Sequence, residues 1–343
     1  MTKSRQVADF GAGGFYAGKN KIINGDFNIN QRAFSSTTTD GTYGFDRWLF
    51  GRSGDGTTTC SAQTFTPGTA PVSGYEAANY VRVVTTGQTT SSSYTLLVQR
   101  VEDVRTLAGQ TVTVSFWAKA NSGTPSITVE LQQNYGTGGT ASSDLYKSKI
   151  AITTSWARYS VTIALNSLTG KTIGTGSSLA AALWVSAGSN FNSRLDSLGL
   201  QANTFDIWGV QLETGAVATP FTTATGTLAG ELALCQRYYQ KVAEGSGKLI
   251  CMVQNYSTSA FEGILHLPVE MRVQPTLSIV SGTNYYNLYV TGNNNFNDFS
   301  LVSSSNTRQI VFSKSGLSGL TAGQAGTLGT NNAAAFVALQ AEL

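Results

Sequence analysis

The chain has 343 residues, 41% of them hydrophobic and only 12% charged, enough apolar material for two cores but too few charged residues for a helix-rich protein. Its net charge of +3 sits within the first 32 residues, where Lys3, Arg5, Lys19, Lys21 and Arg32 outnumber Asp9 and Asp26. The rest of the chain is neutral, which gives nucleic-acid binding by the body no electrostatic support.

Residues 1–20 read as an arm. The stretch Asp9-Phe-Gly-Ala-Gly-Gly-Phe-Tyr-Ala-Gly18 is too glycine-rich to pack alone. Its basic residues Lys3 and Arg5 and its aromatics Phe10, Phe15 and Tyr16 suit docking on a neighbouring subunit, although a short solvated tail has the same composition. The opening Met-Thr-Lys-Ser-Arg lacks the apolar core of a signal peptide, and no apolar run reaches membrane-spanning length. Neither secretion by a signal peptide nor membrane insertion is expected.

From residue 21 to 222 the pattern is that of strands. Val112, Val114, Phe116 and Ala118 alternate with Thr113, Ser115, Trp117 and Lys119. Ile127, Val129 and Leu131 alternate with Thr128, Glu130 and Gln132, and Tyr159, Val161, Ile163 and Leu165 alternate with polar neighbours. This two-residue period belongs to strands with one buried face. Further strands are predicted at Tyr80–Val84, Tyr94–Val101, Ala181–Ala187 and Phe205–Leu212, separated by Gly, Ser, Asn and Thr clusters. The expectation is an all-β fold, a jelly-roll-like sandwich.

Residues 223–247 read as a linker with a short helix, because Leu228, Leu232, Cys235, Tyr239 and Val242 recur at spacings of three and four. That periodicity carries the helix toward Glu244. Strand patterns resume over residues 248–343, a smaller C-terminal β-domain, with segments at Lys248–Val253, Ala260–His266, Tyr285–Val290, Gln309–Ser313 and Ala333–Ala341.

Catalytic chemistry is poorly supplied. His266 is the one histidine and alternates with Phe261 and Leu265 as a surface strand residue would. No local signature singles out a carboxylate pair for glycoside hydrolysis. Thr169-Gly-Lys-Thr172 lacks the leading glycine of a phosphate loop. Cys60, Cys235 and Cys251 form neither a disulfide framework nor a zinc site. No catalytic residue, metal or cofactor is assigned, and the chain is expected not to be an enzyme.

The aromatic residues carry more. Alternation puts Trp117 opposite Val114 and Phe116, Trp184 opposite Leu183 and Val185, and Glu130 and Gln132 opposite Val129 and Leu131. If these three strands share one sheet, Trp117, Trp184, Glu130 and Gln132 form a shallow platform that stacks on sugar rings and hydrogen-bonds their hydroxyls. The alternative is that both indoles pack against a second domain or subunit.

Lys21-Ile-Ile-Asn-Gly-Asp-Phe-Asn28 resembles the opening strand of jelly-roll carbohydrate-binding modules, and Val112–Lys119, Trp156–Leu165 and Phe205–Leu212 resemble later strands of the same modules. The resemblance implies a calcium held by a Glu after the Asn-Gly-x-Phe run and by a closing Asp. Here Asp206 matches, but Asn28 stands in place of the Glu.

A second resemblance is to bacteriophage tail proteins of the marine phage and cyanophage type. It is carried by Asn24-Gly-Asp-Phe-Asn-Ile-Asn-Gln-Arg32, Gly44-Phe-Asp-Arg-Trp48, Ile207-Trp-Gly-Val-Gln-Leu-Glu-Thr-Gly215, Glu231-Leu-Ala-Leu-Cys-Gln-Arg-Tyr-Tyr239 and Leu267–Thr276. It implies a virion component, a tail fibre or fibre adaptor for host attachment, often a homotrimer, assembled in the host cytoplasm with other tail proteins. Host surface glycan is the implied external partner. A capsid decoration protein and a polysaccharide-degrading tail enzyme remain open at this stage. Arg47, Trp48 and Gln236–Tyr239 read as structural, with Arg47 available to carboxylates such as Asp46 or Glu213.

Overall fold

The computed structural model describes residues 18–141 and 143–343. The expected docking residues Lys3, Arg5, Phe10, Phe15 and Tyr16 lie outside the described residues. The chain divides into two compact units, Met1–Leu232 with Leu343, and Ala233–Glu342.

In the first unit the strands run β1 (Ser36–Thr37), β2 (Thr42–Tyr43), β3 (Leu49–Ser53), β4 (Thr57–Thr64), β5 (Asn79–Thr86) and β6 (Tyr94–Glu102). They continue as β7 (Thr111–Ala120), β8 (Ser126–Asn134), β9 (Asp144–Ala151), β10 (Ala157–Ala164), β11 (Ser178–Ala187) and β12 (Asn203–Thr214). Among the described residues they form two six-stranded antiparallel sheets, ordered β1-β4-β5-β12-β7-β10 and β2-β3-β6-β11-β8-β9. From β5 onward the chain passes back and forth between the sheets, apart from the β8-β9 pair that stays in one of them, the route of a jelly-roll-like sandwich.

Alternation sets which residues meet between the layers. β7 pairs with β10 from Ala118 opposite Ala157 to Thr111 opposite Ala164. Its Val112, Val114, Phe116 and Ala118 enter one core with Ile127, Val129 and Leu131 of β8 and Leu179, Ala181 and Leu183 of β11. Seating such side chains between two sheets contributes roughly 1.5–3 kcal/mol each.

The Asn24-Gly-Asp-Phe turn locks the start of this unit. Asn24 adopts φ 57°, its Oδ1 accepts from Ile29 N, and its Nδ2 donates to the carbonyls of Ile29 and Asp46. Trp48 Nε1 donates to Asn24 O, and Phe27 packs 5.3 Å from both Phe45 and Trp48. Gly25 passes so close to β12 that a Cβ there would meet Val210 O at 2.1 Å. These short motifs are therefore joints between distant parts of one core. Arg47 belongs to them too: it is buried, and its Nη2 donates to Arg100 O.

Helix α1 (Leu228–Gln236) is shorter than the periodicity predicts, because Tyr239–Glu244 is a strand, β13. Tyr239 and Glu244 pair with Gln340 and Phe336, next to the fully buried Val337 and Leu339. Sheet pairing thus overrides a three-and-four spacing that aromatic and β-branched residues also satisfy as a strand.

The second unit continues with β14 (Leu249–Asn255), β15 (Phe261–His266), β16 (Thr276–Ile279), β17 (Tyr286–Tyr289) and β18 (Asn293–Phe296). Then follow β19 (Ser300–Leu301), β20 (Gln309–Lys314), β21 (Ala325–Thr330) and β22 (Phe336–Gln340). They form sheets ordered β13-β22-β16 and β18-β17-β21-β14-β15-β20-β19, around Phe261, Tyr286, Leu288, Phe312 and Leu328. His266 is exposed at the end of β15. All three cysteines are buried, and burial pushes the Cys60 and Cys251 thiols up to about 12.

Candidate functional site

The outward face of the β2-β3-β6-β11-β8-β9 sheet carries a cleft of about 480 Å³. Strand register lays out its lining. One row runs straight across the sheet through Leu49, Val98, Ala182 and Glu130. A second runs through Gly51, Leu96 and Trp184, and a third through Arg100, Ala180 and Gln132. Four strands at the usual spacing span about 14 Å. The floor is aliphatic and shallow-sided at its centre, since Gly51, Ala180 and Ala182 have little or no side chain to raise it.

The segment 189–198 builds one wall. Its 3-10 turn (Ser189–Phe191) places Phe191 5.4 Å from the Tyr94 ring, and both rings lie within 6 Å of Trp184, at 5.8 and 5.5 Å. The segment is tied down by Thr128 Oγ1 donating to Leu195 O, and by Lys149 Nζ donating to the carbonyls of Asp196 and Ser197. Lys147 adds an ion pair with Asp196 at 3.1 Å. Anchored in this way, Arg194 reaches back over the sheet. It lies 5.1 Å from the centre of the Trp184 ring and forms an ion pair with Glu130, which is only 2% exposed. A bulge between Trp184 and Ser186 shifts the register with β6, and pairing resumes at Ser186 opposite Thr95 and Ala187 opposite Tyr94.

Of the four residues expected on one platform, Trp184, Glu130 and Gln132 line this cleft together. Trp117 does not. It lies on β7, in the opposite sheet, where alternation does turn it away from the inter-sheet core, but a further layer covers it. The strap 219–222 is held over that face by Glu213 accepting from Thr219 N and Oγ1 and by Gln211 accepting from Thr222 N. Trp117 is packed there against Trp208, Phe221 and the Arg158 guanidinium, and Gly209 keeps a Cβ out of its ring. Burial alone would raise the Glu213 carboxyl, but hydrogen bonds from Thr219, Gln211 and Lys19 hold it below the ordinary value.

Sequence reasoning missed Tyr94, Leu96, Val98, Ala180, Ala182, Phe191 and Arg194. The signal was present: β6 and β11 are apolar at both alternating positions, as strands covered on two faces are.

The calcium implied by the resemblance does not fit these residues. Asp206 is ion-paired with Arg82 at 2.6 Å and Lys119 at 3.6 Å, and Asn28 donates its amide to Asp26. Among the described residues no three His, Cys, Asp or Glu side chains gather as a metal site.

A second recess of about 130 Å³ contains Asp26 and Glu231, 3% and 2% exposed. Burial lifts both carboxyls above their ordinary values, against hydrogen bonds that include Tyr75 and Asn28 to Asp26, and Asn24 N and Thr225 N to Glu231. Their mutual repulsion adds to the rise at Glu231. Each bond ties a loop to the start of α1 or to the Asn24 turn, which is a structural task.

Residues 63–174 match the model of a carbohydrate binding domain, a span that runs from the end of β4 to the approach to β11 and includes Glu130 and Gln132. No curated protein matches the chain in sequence. Solved structures similar to part of it include the enzymatically active domain of tailspike protein 4 from bacteriophage CBA120. Identity there is 13% over 57% of this chain, with TM-score 0.35, and this chain spans 22% of the tailspike's length. A CBM4 structure is 16% identical over 57% of this chain and 99% of its own, with TM-score 0.34. The family 11 carbohydrate-binding module from Clostridium thermocellum, solved with a β-1,3-1,4-mixed-linked tetrasaccharide, is 14% identical over 54% and 99%, with TM-score 0.33.

Proposed function

We propose that the first unit binds glycan in the β3-β6-β11-β8 cleft, and that the chain serves a phage virion as a tail fibre or fibre adaptor that attaches to host surface glycan without cleaving it. The observation that carries the binding reading is the cleft itself: three clustered aromatic rings beside polar side chains, on a unit whose residues 63–174 match a carbohydrate binding domain. Binding without cleavage is supported by Glu130, whose two oxygens both accept from Arg194 rather than standing free for proton transfer. The virion role and a homotrimeric state draw support from the tail-protein motifs at Asn24–Arg32, Gly44–Trp48 and Glu231–Tyr239.

Titration of the full chain with host surface polysaccharide tests the binding reading. Wild type binds, Trp184→Ala loses binding while its unfolding midpoint stays above the assay temperature, and no new reducing ends appear. Equal binding by wild type and variant removes the cleft from the account, and new reducing ends make the protein an enzyme. Electron-microscopic localisation off the tail overturns the virion placement.

A further inference from the structure

The floor and the wall of the cleft differ in chemistry. Sugar rings stack on aromatic faces, and the partly exposed Tyr94 and Phe191 provide these at the wall, backed by Trp184, which is 4% exposed. The floor, by contrast, is made of Leu96, Val98, Ala180 and Ala182, each less than a tenth exposed. A hydroxyl brought onto such a surface loses water and gains no partner, so a bare hexose gives this floor little to bury. A methyl group gains from the same burial.

The polar inventory narrows the ligand further. Two basic side chains, Arg100 and Arg194, and two acidic ones, Asp40 and Glu130, line the cleft, and Arg194 and Glu130 satisfy each other. The cleft therefore offers no net charge to a uronic or sialic acid. The Trp184 indole nitrogen is a buried donor with no acceptor among the described residues. The Trp208 indole nitrogen also has no acceptor among the described residues, but it lies in the aromatic cluster of the other sheet rather than in the cleft. A ligand for this site combines a small apolar group, a neutral carbonyl acceptor and a sugar ring.

We infer that the cleft selects glycans carrying N-acetyl substituents, with the acetamido methyl on the Ala180–Ala182 floor and the sugar ring against the aromatic wall. The inference rests on the glycan-binding reading above and names its ligand class. Ala180 and Ala182 are then specificity-determining residues, because any larger side chain fills the space the methyl needs.

The test compares chito-oligosaccharide with cello-oligosaccharide of equal length, which differ at each ring only in acetamido against hydroxyl. Calorimetric titration of the full-length wild-type chain is expected to show about tenfold or tighter binding to the acetylated oligomer. Ala182→Leu is expected to remove that preference while keeping the wild-type fluorescence spectrum. Equal affinity for the two oligomers overturns the N-acetyl inference and leaves glycan binding standing. Binding to neither oligomer, with host polysaccharide still bound, overturns it likewise. Loss of all three, host polysaccharide included, overturns the glycan reading itself. Should Ala182→Leu unfold, Ala180→Val provides the same test, and the wild-type comparison decides without any variant.

Discussion

Arg194 grips Glu130 from the side, with Nη2 2.6 Å from Oε1 and Nε 3.1 Å from each carboxylate oxygen. The carboxylate is almost wholly buried, whereas about a third of the arginine side chain is exposed. Removing Arg194 strands an acid under the aromatic wall, so Arg194→Ala is expected to cost about 2 kcal/mol, less than a fully buried pair because solvent reaches one partner. Adding Glu130→Gln to that variant should restore part of the loss. All five tryptophans lie in the first unit, so denaturation followed by tryptophan fluorescence reports on that unit alone.

On the proposed function, Trp117 and Trp184 should separate stability from binding. Trp117→Ala opens a hole among Trp208, Phe221 and Arg158 and is expected to cost about 3 kcal/mol. Glycan affinity of the folded fraction should be unchanged. A Trp117→Ala protein that unfolds as wild type does but binds no glycan would reverse the two assignments.

Gly25→Ala drives a methyl into the Val210 carbonyl at 2.1 Å, on a backbone fixed by the bonds of Asn24. The expected cost is about 3 kcal/mol, at the upper end for overpacking, because the obstacle is backbone. Thermal unfolding of the first unit measures it.

The Asp26 carboxyl is held above its ordinary value by burial, so the folded state keeps a proton that the unfolded chain releases near pH 4. Its contribution to stability is therefore largest in acid and declines as pH rises through the folded value. Glu213 and Asp144, held below their ordinary values, act in the opposite sense and lose their contribution as pH falls. Comparing wild type with Asp26→Asn isolates the first effect. The variant should gain relative stability with rising pH from about 4 upward and show no such gain below it. An unfolding series across that range that runs parallel for the two proteins would contradict the assignment.

Much of the fold could be read from alternation alone. β7, β8 and β10 have one apolar and one mixed face, and the sequence placed each within two residues of its observed ends. β9 was missed because its Asp-Leu-Tyr-Lys-Ser-Lys pattern puts charge on the alternating positions and its other face is only partly buried. The cleft was half legible. Trp184, Glu130 and Gln132 were found as outward residues of their strands, but which strands share a sheet is a property of topology, and local pattern does not encode it. That is why Trp117 was grouped with them. The floor escaped notice for a different reason: Ala180, Ala182, Leu96 and Val98 look like core to any reading that assumes a single buried face.

Within β11 the inner residues Leu179, Ala181 and Leu183 and the outer residues Ala180, Ala182 and Trp184 belong to separate clusters. On the proposed function the odd positions answer to the folding requirement and the even positions to the ligand, so the two can drift independently as lineages diverge. Under the proposed function, chains descended from a common ancestor should keep the odd positions nearly fixed in volume while the even ones change with the glycan bound. A new glycan preference would then arise by one or two substitutions on the even positions, with no compensating change elsewhere in the sandwich.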